Sequence, residues 1–212
     1  MFTSDRDLLL LDPTLFRDVG WLGQRLLSTV ATVIDTTLTV SGVDLAALGV
    51  AAGHVVLVDG AALEVTQRLS PTALEISRPR AAPNDPPIPA SFGVNRAIVI
   101  HTFSPQLAIA HGQILRMLGL EADAAPVPGT LTDANVTNPR SLWLVEALCA
   151  LYQIYAAAAA LAPADSPAHV RAEHYRARFN AERQRATARI DTDGDGRADV
   201  TRYLNVVQFL RA

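Results

Sequence analysis

Apolar residues are densest between Asn138 and Ala162, NPRSLWLVEALCALYQIYAAAAALA, and this run anchors the reading of the chain. Leu142, Val145, Leu148, Cys149, Tyr152 and Tyr155 recur at helical spacing, and Leu144, Leu151 and Ile154 fill much of the opposite side. Asn138 suits an N-cap, Pro139 suits the first helical position, and Pro163 ends the run. The pattern predicts a helix apolar nearly all round, which other elements or other subunits must enclose. About 20 apolar residues would also suffice to cross a bilayer. Glu146 and Gln153 interrupt the run and alanine is only weakly apolar, so the expectation is a buried helix and no membrane partner.

Upstream, Asp12-Pro13 followed by TLFRDVGWLGQRLLSTV predicts one or two short helices, with Phe16, Val19, Trp21, Leu22, Leu26 and Leu27 in the core. From about Val30 to Phe103 the period changes to two. VIDTTLTV alternates, and HVVLV, Asp59-Gly60 and AALEVTQ form a hairpin, because Asp-Gly supplies a tight turn. TALEISR and RAIVIHTF read as further strands, and RPRAAPNDPPIPASFG between them reads as an extended loop. Helix returns at Ser104-Pro105 and closes at Gly119; residues 121–130 read as a linker. A last helix is expected from Ser166-Pro167 to about Ile190, with an arginine-rich outer face.

The expected fold is therefore α+β. Residues 1–29 and 104–190 form a helical bundle, 30–103 an inserted small antiparallel β domain (sandwich or barrel), and 191–212 an acidic loop with an extended C-terminal tail.

Composition narrows the chemistry. Half of the 212 residues are hydrophobic and the net charge is −3, which supports a sizeable core and no general affinity for polyanions. The lone Cys149 excludes a disulfide framework within one chain and, lying in the apolar helix, reads as a core thiol. All 18 basic residues are arginine, so a Walker A lysine, a Schiff-base lysine and a Ser-x-x-Lys pair are excluded. The opening MFTSDRDLLLLDPTLF is acidic where an export leader would be basic, and the expectation is a protein that is not exported.

The sharpest local motif is Asp191-Thr-Asp193-Gly-Asp195-Gly196-Arg197-Ala-Asp199. Carboxylates at alternate positions of a tight loop can converge on a hard cation, and Arg197 would lend its carbonyl. This is the front of a calcium loop, with Asp191, Asp193, Asp195, Arg197 and Asp199 as candidate Ca2+ ligands. Arg202 stands where such a loop carries a bidentate glutamate. The competing reading is a connection rich in Asx turns with no ion. His101 and His111 are the only histidines considered as bases, and neither has a matched partner in sequence. No catalytic residue is assigned.

Three segments together resemble the head–tail connector proteins of tailed phages, also called adaptor, head-completion or neck proteins. They are TFSPQLAIAHGQILRMLGL, NPRSLWLVEALCALYQIYAAA and RIDTDGDGRADVTRYLNVVQFLRA, covering about the C-terminal half. The segment GVAAGHVVLVDGAALEVTQRLSPTALEIS is also similar to small β modules of phage structural proteins. The resemblance implies a non-enzymatic virion protein at the head–tail interface, assembled in the host cytoplasm. It implies a cyclic homo-oligomer of about twelve subunits bound to the portal and to tail or neck proteins. DNA would pass through the lumen without sequence-specific binding. It also implies a docking tail, for which Tyr203, Val206, Val207, Phe209 and Leu210 are the contact candidates; such a tail suits strand addition to a partner's sheet or to the chain's own β module. The alternatives are a cellular calcium-binding interaction module and, further off, a hydrolase using His101 or His111.

Overall fold

A computed structural model describes residues 1–122 and 130–205. Two compact units result: residues 4–105, and residues 1–3 with 106–212.

The first unit is a six-stranded antiparallel barrel. Its strands are β1 (Gln24–Ile34), β2 (Thr37–Val40), β3 (Val55–Val58), β4 (Ala61–Ser70), β5 (Ala73–Ser77) and β6 (Gly93–Thr102), in the closed order β1-β2-β5-β4-β3-β6. The β3–β4 hairpin turns at Asp59-Gly60, as expected. Their φ values of 48° and 83° are the left-handed pair that a primed two-residue turn requires. Val33, Leu38, Val56, Val58, Leu74, Ile76 and Ile100 are fully enclosed in the barrel core. Closure leaves no open barrel edge, so a strand cannot add to it.

This unit reaches further toward the N-terminus than the expected boundary at residue 30. The stretch 24–29, read as the end of the short helices with Leu26 and Leu27 as core positions, is the first half of β1, hydrogen-bonded to β6 from Gln24↔Thr102 onward. Helix α1 (Asp5–Leu11) and the single turn α2 (Leu15–Asp18) belong with the barrel. Phe16 and Val19 are buried as expected, whereas Trp21 is 59 % exposed. Ser4 and Asp7 form a capping box at the start of α1, with the Asp7 carboxylate accepting the Ser4 amide at 2.9 Å.

A charged cluster holds this unit together. Glu64 on β4 has no solvent exposure. Its carboxylate accepts the Arg6 Nε from α1, the Arg80 Nε at 2.6 Å and the Arg80 amide at 3.0 Å. Arg6 Nη2 also donates to the Arg80 carbonyl at 2.5 Å, and Arg80 Nη1 to the Asp85 carbonyl at 2.6 Å. One buried carboxylate thus ties α1 and the proline-rich loop to the barrel wall.

Asp5 is a second buried acid, 2 % exposed. Its Oδ1 accepts the Phe103 amide at 2.8 Å, while Oδ2 has no hydrogen-bond partner among the described residues. Burial pushes its carboxyl up to about 6, against the opposing Thr102 hydroxyl and Phe103 amide. The raised folded value favours the protonated acid. This contribution to stability is complete below the ordinary 3.8 and is lost as pH rises through about 6. Asp5→Asn keeps an oxygen for the Phe103 amide and removes the titration. Denaturant unfolding at pH 4.5 and pH 8 should show the wild type losing about 2 kcal/mol more than the variant over that interval. Parallel pH profiles for the two proteins would refute the assignment.

The second unit is mainly helical. It contains most of α3 (Ser104–Met117), α4 (Trp143–Ala160) and α5 (Pro167–Arg183), together with a two-stranded sheet of β7 (Thr187–Ile190) and β8 (Val200–Tyr203). Helix α4 lies where the apolar run placed it, preceded by a 3-10 turn at Pro139–Ser141. Val145, Leu148, Cys149, Leu151, Ile154 and Tyr155 are buried along it. Burial pushes the Cys149 thiol up to about 12, so it is the inert core thiol expected. Tyr155 stacks on Tyr175 of α5 at 5.6 Å, and Arg171 donates to the Tyr155 hydroxyl at 2.7 Å. Helix α5 stops seven residues short of Ile190. The stripe Ala186–Ile190 fits helical spacing, but Ala188 and Ile190 also alternate inward along a strand, with Thr187 and Arg189 outward, and the strand forms.

Candidate functional site

The acidic loop is the connection of the β7–β8 hairpin. Asp191 follows the buried Ile190 and is pinned at both backbone groups. Its amide donates to the Asn135 carbonyl at 2.9 Å and its carbonyl accepts Asn135 Nδ2 at 2.9 Å. The Asp191 carboxylate, nearly buried, turns back into the loop and accepts the amides of Gly194 at 2.7 Å and Gly196 at 2.8 Å. Gly196 has φ 82°, a conformation that other residues adopt only with strain. Asp193 accepts the Asp195 amide at 3.2 Å and Asp195 the Arg197 amide at 2.7 Å.

This winding brings one carboxylate oxygen each of Asp191, Asp193 and Asp195 within 4.8 Å of one another, close enough to share one cation. Asp199 is not in that group. Its Oδ2 accepts both the amide and the hydroxyl of Thr192, each at 2.7 Å, and so closes the base of the loop. Arg197 is exposed on the loop, its amide spent on Asp195. Arg202 is on β8, where its Nη1 donates to the carbonyls of Leu118 at 2.6 Å and Gly119 at 3.0 Å, capping the C-terminal end of α3. Of the five residues expected around an ion, three converge.

The hydrogen bonds have an electrostatic consequence. The amides of Gly194 and Gly196 hold the Asp191 carboxyl below the usual carboxylate range, and the amide and hydroxyl of Thr192 do the same for Asp199. Both are depressed groups. Their contribution is present above the ordinary 3.8 and is lost as pH falls through the lower folded values.

The two histidines considered as bases belong to different units. His101 on β6 has its Nδ1 at 2.5 Å from the Gly20 carbonyl. His111 on α3 lies between two carboxylates, with Nδ1 2.8 Å from Glu146 Oε2 and Nε2 3.3 Å from Asp133 Oδ2. Glu146 has no solvent exposure, and its other oxygen accepts the amides of Phe2 at 3.0 Å and Thr3 at 3.1 Å. The Phe2 ring meets His111 edge-on at 4.9 Å. Reading the sequence missed this cluster. Its one visible sign was a carboxylate inside an apolar helix, which must find partners.

The docking candidates are only partly visible. Tyr203 ends β8 and is 51 % exposed. Val206, Val207, Phe209 and Leu210 lie outside the described residues. Compared with protein-family models, curated proteins and solved structures, the chain has no significant match.

Proposed function

We propose that this chain is a structural protein of a tailed-phage virion, a head–tail connector that works as a cyclic homo-oligomer on the portal. The observation that carries the reading is the incomplete cover of α4. Its 18 residues have a mean hydropathy of 1.4 and only 61 % of them are buried within the chain. By length and composition such a helix could also cross a membrane. Glu146, in its first turn, is bound instead to His111 and to two backbone amides. The uncovered side presents the small, apolar Ala157 and Ala160, followed by the exposed Leu161 just past the helix end, which lets another subunit pack closely. In a ring, that surface is covered by the neighbour. The resemblance of three C-terminal segments to connector proteins supplies the setting.

The test is to mix the purified chain with portal rings and examine the product by electron microscopy and native mass. A second ring of this chain stacked on the portal is expected. A chain that stays monomeric and unbound would overturn the reading.

The convergence of Asp191, Asp193 and Asp195 favours calcium at the hairpin, as a structural clip. Three carboxylates this close repel one another unless a cation or hydrogen bonds offset them. Calcium is expected to raise the melting temperature, and Asp193→Ala to abolish the increment. Equal melting curves in calcium and in chelator would leave a turn held by hydrogen bonds alone. A calcium-dependent gain of a cellular partner, with no response to portal, would favour the calcium-binding interaction module instead.

A further inference from the structure

Within the second unit, one buried acid organises both a histidine and the first residues of the chain. Glu146 accepts His111 Nδ1 on one oxygen and the amides of Phe2 and Thr3 on the other. The Thr3 hydroxyl also donates to the Trp143 carbonyl at 2.8 Å, and the Phe2 ring braces the imidazole edge-on. A carboxylate acceptor holds the proton on Nδ1 and leaves Nε2 as the ligating nitrogen. That nitrogen lies 3.3 Å from Asp133 Oδ2, and the same oxygen lies 3.5 Å from the Met1 amino nitrogen. Asp133 opens a 3-10 turn, Asp133–Asn135, whose ends are locked by reciprocal bonds between Thr132 and Asn135. His111 is buried, whereas Met1 and Asp133 are 42 % and 44 % exposed, so the three atoms meet where an ion can reach them from solvent.

We propose that His111 Nε2, Asp133 Oδ2 and the Met1 amine form a binding site for a divalent transition metal of the zinc type. Zinc takes nitrogen and oxygen ligands at about 2.0–2.2 Å in a tetrahedron, which sets neighbouring ligand atoms about 3.3–3.6 Å apart. The separations of 3.3 and 3.5 Å at Asp133 Oδ2 match that spacing. A ligating histidine usually gives its other N–H to a carboxylate, which fixes the ring and raises its basicity, and Glu146 fills that place. Glu146 is therefore a positioning residue: it aims the imidazole and, through the Phe2 and Thr3 amides, brings the amine to the same point. Two nitrogen donors suit zinc and disfavour calcium, which takes oxygen, so this site and the acidic loop select different ions. Three protein ligands leave the fourth tetrahedral position open to water or a small anion. The site is independent of the connector reading.

The sequence supplies its own probe. All 18 basic residues are arginine, so the Met1 amine is the one aliphatic amine of the chain, and its acetylation can be counted on the intact mass. Calorimetric titration of the untagged full-length chain with zinc, in excess calcium, should show one zinc site. Asp133→Asn removes a ligand at a half-exposed position, and acetylation removes another; each should weaken zinc binding at least about tenfold. Asp193→Ala, in the acidic loop, should bind zinc as the wild type does. Zinc should also slow acetylation of Met1 at least about tenfold in the wild type and leave the rate unchanged in Asp133→Asn. Protection of the amine is read on the unaltered protein, so it decides the matter even if a variant folds poorly. An acetylation rate indifferent to zinc would overturn the proposal. So would zinc bound as tightly by Asp133→Asn and by the acetylated chain as by the wild type, or zinc lost with Asp193→Ala, since the ion would then sit elsewhere.

Discussion

Glu64→Ala is expected to destabilise the protein by about 3–5 kcal/mol, because it strands two buried arginines. Arg6 and Arg80 are each about 7 % exposed, and Glu64 is the carboxylate they share. Without it, two guanidiniums face one another across a cavity, with Asp7, 3.4 Å from Arg6, the one further ion-pair partner among the described residues. The loss should fall on α1 and on the loop through Arg80 and Asp85, which the carboxylate joins to β4. The triple replacement Arg6→Met, Glu64→Leu and Arg80→Met is the informative companion. It removes charge and partner together, so it should cost far less than Glu64→Ala alone. Urea unfolding of the three proteins measures this; a triple variant as unstable as the single one would show that the lost backbone hydrogen bonds, and not the unpaired charges, set the cost.

Glu146→Ala is expected to cost a similar amount, about 3–5 kcal/mol. Three donors lose their acceptor at once: the amides of Phe2 and Thr3, and His111 Nδ1. Glu146→Gln retains an oxygen for the two amides and should cost about 1–3 kcal/mol. Hydrogen exchange separates this from a general loss of core packing. The Phe2 and Thr3 amides should lose protection in Glu146→Ala before the amides of α4 do. Simultaneous loss along the whole helix would mean that the carboxylate serves α4 itself.

These clusters mark the boundary of what the sequence could reveal. The Asp59-Gly60 hairpin was legible because a turn with two left-handed residues has a local signature. Helix α4 was legible because its apolar run is long and capped. Glu64 was not, since on a strand it looks like one solvent-facing position among several. Its partners are 58 residues upstream and 16 downstream, and only the fold brings them together. The first half of β1 and the whole of β7 were read as helix because spacings of three and four residues coincide with strand alternation over short segments. Helix α1 carried a usable signal, Ser4 with Asp7 three residues on, that outranks the plain apolar run after it. In the acidic loop the spacing of the aspartates was visible. That Asp199 serves Thr192 was not, because the alternation of side chains does not say which oxygen a backbone amide will claim.

The 2.8 Å hydrogen bond from the Phe103 amide to Asp5 sets the two ends of the barrel unit side by side. A segment that enters and leaves at neighbouring points behaves as a cassette: it can be lifted out of one chain and spliced into a surface loop of another without pulling that loop's ends apart. Residues 4–105 are therefore suited to transplantation, and the same join is where new termini could be closed to make a circular permutant of the barrel.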